Sequence, residues 1–374
     1  MRISMLTLGT RGDFELLLTL GRRLRSRGHQ VVLGTSEFYA ARVREAEIEW
    51  AQIGCGTRDD LLAVLRSLSS VADKAKRTLL FQDKWIGPQL SLADGQIAAI
   101  AAGTDYFVSN LKIAVRRDGE IIPGAAVTYD PPRTIEDLSR SATHGHGASI
   151  LDLVAMNKGL VDPESLWGEQ YHFTGFWSDE QQAVRRPSPR LSEFLANGLP
   201  PVVITMGSMV MFDAWNLVRQ IIAALGVCGR RGIIVSSWSG ISPADVSEGP
   251  VYCVSQIPYD WLFAKASCII HHGGCGTVAA VLRAGRPSIL LPQVSCQEEF
   301  GRILARENLV AGVLDAQCLN HVDLAEAIQK AVADEELERN ARKWQQAVLE
   351  DGGVELAAEL IENHWKRINR DDCN

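Results

Sequence analysis

The chain lacks a CxxC pair, an apolar run of about 18 residues and any surplus of basic side chains. Each absence excludes a class. Without the apolar run there is no helix to span a membrane, and the short start "MRISMLTL" reads as a strand, not a signal peptide. Eight cysteines, at 55, 228, 253, 268, 275, 296, 318 and 373, stand singly. They point to reduced thiols in a cytoplasmic protein and away from structural zinc. With 38 Lys and Arg against 45 Asp and Glu, the net charge is −7. That excludes a protein that tracks nucleic-acid phosphates or lies on an anionic membrane, but not one that takes a small anion.

What is present is ordinary globular material. Of 374 residues, 46% are hydrophobic and 22% charged, enough for two domains. The first stretch alternates: an apolar strand at 2–8, a glycine turn at 9–13, a helix over 14–27 with Leu16, Leu17, Leu20 and Leu24 on one face, and a strand at 29–35. Segments 105–110 and 124–130 read as further strands of the same parallel sheet. Residues 178–201 mix charge with four prolines and read as the domain linker. A second series follows, with strands at 202–208, 231–238, 251–257, 267–272 and 288–293 and a helix over about 213–226. The expected domains are 1–180 and 190–350. A terminal helix at 351–374, with Val354, Ala357, Ile361, Trp365 and Ile368 on one face, packs back on the first. In such α/β sheets ligands sit beyond the carboxyl ends of the strands, so the strand-end loops are the candidates for function.

The most informative loop is 271–277, "HHGGCGT", between the strand "SCII" and the helix "VAAVLRAG". Gly273, Gly274 and Gly276 allow close approach of backbone, and Gly276-Thr277 opens a helix whose free N–H groups attract an anion. Thr277 adds a hydroxyl and His272 an imidazole donor, while His271 is expected to pack inward. The loop has neither the lysine of a P-loop nor G-x-G-x-x-G, so neither a triphosphate with magnesium nor a dinucleotide cofactor is implied. A plain glycine turn with core histidines is the alternative.

"IPYDWLFAKASCIIHHGGCGTVAAVLRAGRPSILLPQ" (257–293) resembles the donor-binding signature of nucleotide-sugar-dependent glycosyltransferases of the GT-B fold. The similar branch holds sterol glucosyltransferases and glycopeptide-antibiotic glycosyltransferases. "LGTRGDFELLLTLGRRLRSRGHQV", "FTGFW" (173–177) and "PPVVITMGSM" (200–209) resemble the same branch, so the likeness spans about 1–35 and 170–315 and is weak over 36–170. It implies an α/β protein of two doubly wound Rossmann-like domains facing across a cleft. It also implies that His272, Gly274, Gly276, Thr277 and Ser208 contact a diphosphate, and that Trp238 and the Ile257 backbone hold a pyrimidine base. On the residues alone Trp238 reads equally as a core aromatic, and Asp13 as the N-cap of the helix at 14–27. The resemblance makes Asp13 the catalytic base, with Thr10 and Arg11 assisting the leaving group.

Two departures stand out. Where the family usually has Asp-Gln, this chain has Cys296-Gln297: Gln297 keeps its place, but a thiol cannot accept hydrogen bonds as a carboxylate does, and Glu298 or Glu299 is the nearest substitute. "GDFELLL" also lacks the family's valine and proline after the aspartate. "THGHG" (143–147) reads as an acceptor-side loop in preference to a metal pair. The expectation is an inverting hexosyltransferase, active in the cytoplasm as monomer or homodimer. It moves a sugar from a UDP- or dTDP-sugar to a small, partly apolar acceptor of antibiotic or lipid type. No metal or other cofactor is required and no nucleic acid is bound. A nucleotide-sugar epimerase and a catalytically impaired nucleotide-sugar-binding partner protein are the alternatives.

Overall fold

Residue contacts divide the chain into two units, one of Met1–Val64, Leu79–Asp179 and Asp351–Asn374, the other of Leu65–Thr78 and Glu180–Glu350. The computed structural model describes residues 1–111, 113, 115–117, 120–129, 150–161, 170–178, 187–211, 213–236, 246 and 250–371. Trp238, the 143–147 loop and residues 179–186 of the expected linker lie outside the described residues. Segment 65–78, which the sequence reading left inside 1–180, is counted with the second unit.

The first unit is built on a seven-stranded sheet. Its strands are β1 (Arg2–Leu6), β2 (Gln30–Thr35), β3 (Glu49–Gln52), β4 (Tyr106–Ser109), β7 (Gly124–Thr128), β8 (Ile150–Val154) and β9 (Tyr171–Phe173); β5 (Arg116–Arg117) and β6 (Glu120–Ile121) form a separate antiparallel hairpin. Every pairing in the sheet is parallel, in the order β3-β2-β1-β4-β7-β8-β9. The order reverses direction between β1 and β4, which is the switch point of a doubly wound sheet. Ile3 and Met5 of β1 meet Leu17, Leu20 and Leu24 of the helix Arg11–Ser26 in the core.

That helix starts three residues earlier than the spacing of its leucines suggests. Thr10 is the N-cap, and its carbonyl accepts the Phe14 N–H at 3.1 Å, the first bond of the helical ladder. The cap therefore comes from Thr10, and Asp13, whose alternative reading was that cap, is the N3 residue of a capping box.

The helix Gly353–Asp371 belongs to the first unit and packs on Arg11–Ser26, β7 and β8. Ala357, Ala358 and Ile361 are fully buried, with Val354 and Trp365 partly so. Its polar ties are specific: Glu362 takes a fork from Arg27 at 2.9 Å on each oxygen and a bond from His29 at 2.9 Å, and buried His364 meets the Tyr106 hydroxyl at 2.7 Å. Arg27 also pairs with Glu355.

The second unit carries a six-stranded sheet, again parallel throughout, of β10 (Val202–Thr205), β11 (Gly232–Val235), β12 (Val251–Val254), β13 (Cys268–His271), β14 (Ser288–Leu290) and β15 (Val310–Val313). Its order, β12-β11-β10-β13-β14-β15, reverses between β10 and β13. The helix Ala214–Cys228 is capped by Asp213 on the Asn216 N–H at 2.8 Å and stopped by Gly229 in the left-handed region. Among the described residues no helix is long and apolar enough to cross a membrane.

Candidate functional site

Each unit presents chemistry at its own switch point. In the first, the loop after β1 folds back so that Asp13 faces the ends of two neighbouring strands. Its Oδ2 accepts the Thr10 N–H at 2.7 Å and the Thr10 hydroxyl at 3.2 Å. Its Oδ1 accepts Asn110 Nδ2 at 3.2 Å and the Tyr129 hydroxyl. Asn110 follows β4 and Tyr129 follows β7, so three adjacent strand ends converge on one carboxylate. Gly9 makes the fold-back possible, since a Cβ there would lie 2.1 Å from Asp13 Cγ. The π-helical turn Gln82–Ile86 buries Trp85, whose Nε1 donates to the Leu8 carbonyl at 2.7 Å and braces the same loop.

Asp13 keeps some solvent-exposed surface, but protein atoms crowd it closely. Burial raises its carboxyl above the ordinary range, and bonds from Tyr129 and Thr10 offset part of the rise. Such a group is a better proton acceptor than a surface aspartate once ionised. Thr10 spends both donors on Asp13, so in this structure it holds the carboxylate and does not face outward. Arg11 pairs along its helix with Glu15 at 3.2 Å, and Glu15 is also forked by Arg42.

In the second unit the loop after β13 packs against the loop after β10. His271, wholly buried, accepts the Gly273 N–H on Nδ1 at 3.1 Å; its Nε2 is buried without a partner. His272 lies between two glycines. A Cβ at Gly207 would come within 2.6 Å of its Cε1, and one at Gly274 within 2.4 Å of its Nε2. Burial depresses both imidazoles, His271 to about 3 and His272 to about 4, so both are neutral near pH 7. Gly274 is the N-cap of the helix Cys275–Ala284, and no side chain caps that end. Gly276 is exposed, with nothing within 4 Å of where its Cβ would stand, while Thr277 is buried at the third helical position. Ser208, partly buried, follows Gly207 in the β10 loop. Ile257 precedes Pro258, and the Tyr259 hydroxyl just beyond sits 2.7 Å from Thr205 Oγ1 at the end of β10.

The structure thus brings Ser208, His272, Gly274, Gly276 and Thr277 onto two adjacent strand-end loops, and Ile257 onto a third. Gln297 is placed differently from a free ligand. It is buried, and its Oε1 accepts the backbone N–H groups of Gln293 at 2.7 Å and Val294 at 3.3 Å, so only its amide nitrogen is left to offer. Cys296 is partly buried beside it on the first turn of the helix Ser295–Arg306. Glu298 is held by Lys74 at 3.0 Å and Glu299 by Arg302. Among the described residues no group of three His, Cys, Asp or Glu side chains is placed to hold a metal ion. Sequence reasoning missed Asn110, Tyr129 and Trp85. The first two lie at the ends of segments read as strands, and the missing piece was that those strands stand next and next but one to β1.

Residues 3–113 match the glycosyltransferase family 28 N-terminal domain, and residues 234–362 match the erythromycin biosynthesis protein CIII-like C-terminal domain. The chain is 28% identical to the O-mycaminosyltylonolide 6-deoxyallosyltransferase of Streptomyces fradiae, over 97% of each chain. It is 27% identical to a sterol 3-beta-glucosyltransferase of Arabidopsis thaliana, over 60% of this chain and 35% of that one. The crystal structure of the calicheamicin glycosyltransferase CalG4 superimposes with a TM-score of 0.70 at 18% identity, covering 98% of both chains. The chain is a glycosyltransferase of the GT-B fold, similar in sequence to the branch of antibiotic glycosyltransferases and sterol 3-beta-glucosyltransferases.

Proposed function

We propose that the protein is an inverting hexosyltransferase that moves a sugar from a UDP- or dTDP-sugar to a hydroxyl of a small, partly apolar acceptor in the cytoplasm. The observation that carries this reading is the uncapped helix end at Gly274–Thr277, held open by glycine at the switch point of the second unit. Its backbone dipole suits a diphosphate, with the Gly276 N–H as a backbone donor and Ser208 and Thr277 adding hydroxyls. His272, being neutral, binds as a hydrogen-bond donor and not as a cation. The Ile257 backbone and Trp238 take the pyrimidine base; Cys296 and the Gln297 amide meet the sugar.

In the reaction, Asp13 accepts the acceptor's hydroxyl proton as that oxygen attacks the anomeric carbon. The bond to the nucleoside diphosphate breaks on the opposite face, which inverts the centre, as in other single displacements at a sugar. The leaving diphosphate carries its charge onto the helix end, so the step as proposed needs no metal. Thr10, Asn110 and Tyr129 hold the carboxylate, and Tyr129 and Asn110 stand where they can also orient the incoming hydroxyl. Arg11, in a half-exposed ion pair of small worth, can release Glu15 and turn to the leaving group. The names of the relatives, one acting on O-mycaminosyltylonolide and another on a sterol, support an acceptor with a large apolar body.

The test is nucleotide release. A panel of UDP- and dTDP-hexoses is incubated with the protein alone and with macrolide aglycones and sterols. Release of UDP or dTDP that an acceptor accelerates, with a β-linked product from an α-linked donor, supports the proposal. Interconversion of hexoses without nucleotide release shows an epimerase, and tight binding with neither shows a binding protein.

A further inference from the structure

Segment 65–78 enters the second unit and meets the turn 293–298 through three side chains. Arg77 donates through Nη1 to the Gln293 carbonyl at 2.7 Å and through Nε to the Val71 carbonyl. Thr78 Oγ1 lies 3.1 Å from Ser295 Oγ, and Lys74 Nζ lies 3.0 Å from Glu298 Oε1. Arg77 is only 4% exposed, and its Nη2 is buried without a partner. Among the described residues it makes no ion pair: Glu298 is engaged by Lys74, and Asp315 acts on it only at longer range. A guanidinium taken out of water without a carboxylate is costly, and its compensation here is two charge-assisted bonds to backbone carbonyls.

One of those bonds acts on a particular turn. The Gln293 backbone is gripped on both sides, its N–H by Gln297 Oε1 at 2.7 Å and its C=O by Arg77 at 2.7 Å. Immediately beyond it the helix Ser295–Arg306 starts, and its first turn carries Cys296 and Gln297. On the resemblance given above, Cys296 takes the place of a carboxylate that grips the sugar, and a thiol in that place leaves the turn to be fixed by other groups. We infer that Arg77 is a positioning residue for the sugar-facing turn 293–297. The inference rests on the proposed donor reading and deepens it. Among the described residues Arg77 bonds to neither the 206–209 loop nor the 272–277 loop; the turn it holds meets the second of these only where Gln297 lies against Gly273, so its effect is expected mainly on the sugar and much less on the nucleoside diphosphate.

The experiment compares Arg77→Gln, Arg77→Lys and Thr78→Val with the parent in the full chain. Thermal unfolding is followed first. Affinities for UDP, UDP-glucose, dTDP and dTDP-glucose are then measured by titration calorimetry. In Arg77→Gln the nucleotide sugar that the parent binds weakens about tenfold or more, while the matching nucleoside diphosphate changes by less than about twofold. Arg77→Lys, which keeps the charge but loses the second bond, falls between. Thr78→Val removes the bond to Ser295 together with the hydroxyl's own bond to the Lys74 carbonyl at 3.3 Å, leaves Arg77 in place, shifts the sugar nucleotide in the same direction by about threefold, and decides the matter if Arg77→Gln does not fold. A merely structural Arg77 predicts equal weakening of nucleotide and nucleotide sugar, or no change in either, and that result overturns the inference while leaving the donor reading intact. A parent protein that binds none of the four overturns both.

Discussion

Replacing Asp13 by Asn and by Ala separates its two jobs. Asp13 accepts four bonds, from the Thr10 N–H and hydroxyl, from Asn110 and from the Tyr129 hydroxyl. Ala deletes the acceptor and strands those donors. A lost cap costs roughly 1 kcal/mol and an unpaired buried donor roughly 1–3 kcal/mol, against which the relief of a buried carboxylate returns part. The expected loss in Asp13→Ala is about 2 kcal/mol, a fall of some ~5 °C in the melting of the first unit. Asn keeps one oxygen for the Thr10 N–H, and the Tyr129 hydroxyl can turn to accept from the new amide, so Asp13→Asn is expected within about 1 kcal/mol of the parent. Neither variant has a base, so both lose transfer by about a hundredfold or more, equivalent to ~2.7 kcal/mol of barrier. The assay pairs differential scanning calorimetry with nucleotide release in the presence of acceptor, and adds calorimetric titration of the donor. Asp13→Asn that melts like the parent and transfers within about threefold of it would return Asp13 to capping alone.

Gly9→Ala forces a methyl into the Asp13 carboxylate, so transfer drops by about tenfold or more while donor affinity holds; unchanged turnover would mean that the carboxylate need not fold back. Because burial holds His272 at about 4, donor affinity is expected to stay flat from about pH 8 to pH 5. A rise through pH 6–7 would show an imidazolium binding phosphate instead. The same depression has a stability consequence. Between the ordinary value of 6.5 and about 4 the unfolded chain binds a proton that the folded chain refuses, so stability falls as pH drops through that window, by up to about 3 kcal/mol. Glu362 behaves oppositely, because the Arg27 fork holds it at about 2, below the usual 4.5. Its contribution is complete above the unfolded value and is lost as pH falls toward 2. Arg27→Ala should therefore cost about 2 kcal/mol near neutrality and much less near pH 2, measured by urea unfolding.

The α/β class and the paired doubly wound sheets were legible because apolar strands and amphipathic helices alternate at the right lengths, as in "RISMLTL" followed by the leucine face of residues 16–24. Edges were less legible. The helix at 11–26 begins with Arg11 and Gly12, whose propensities say nothing, and a Thr10–Asp13 capping box sets its start. The loops 206–209 and 271–277 could be found from glycine and strand ends, but not the packing of His272 between Gly207 and Gly274, which joins residues far apart in the chain. Nor could Gln297 be read as a brace for its own turn, since a side-chain bond to the backbone four residues earlier leaves no periodic trace. Arg77 is the furthest from sequence. Nothing in "KAKRTLLF" singles it out from the other basic residues beside it, and only the place of 65–78 within the second unit buries it.

The most direct test of the account is a crystal structure of the protein with UDP or dTDP. The diphosphate is expected at the start of the helix Cys275–Ala284, with phosphate oxygens about 3 Å from the Gly276 N–H and from the Thr277 and Ser208 hydroxyls. A nucleotide bound elsewhere, or that helix end empty at saturating nucleotide, would contradict it.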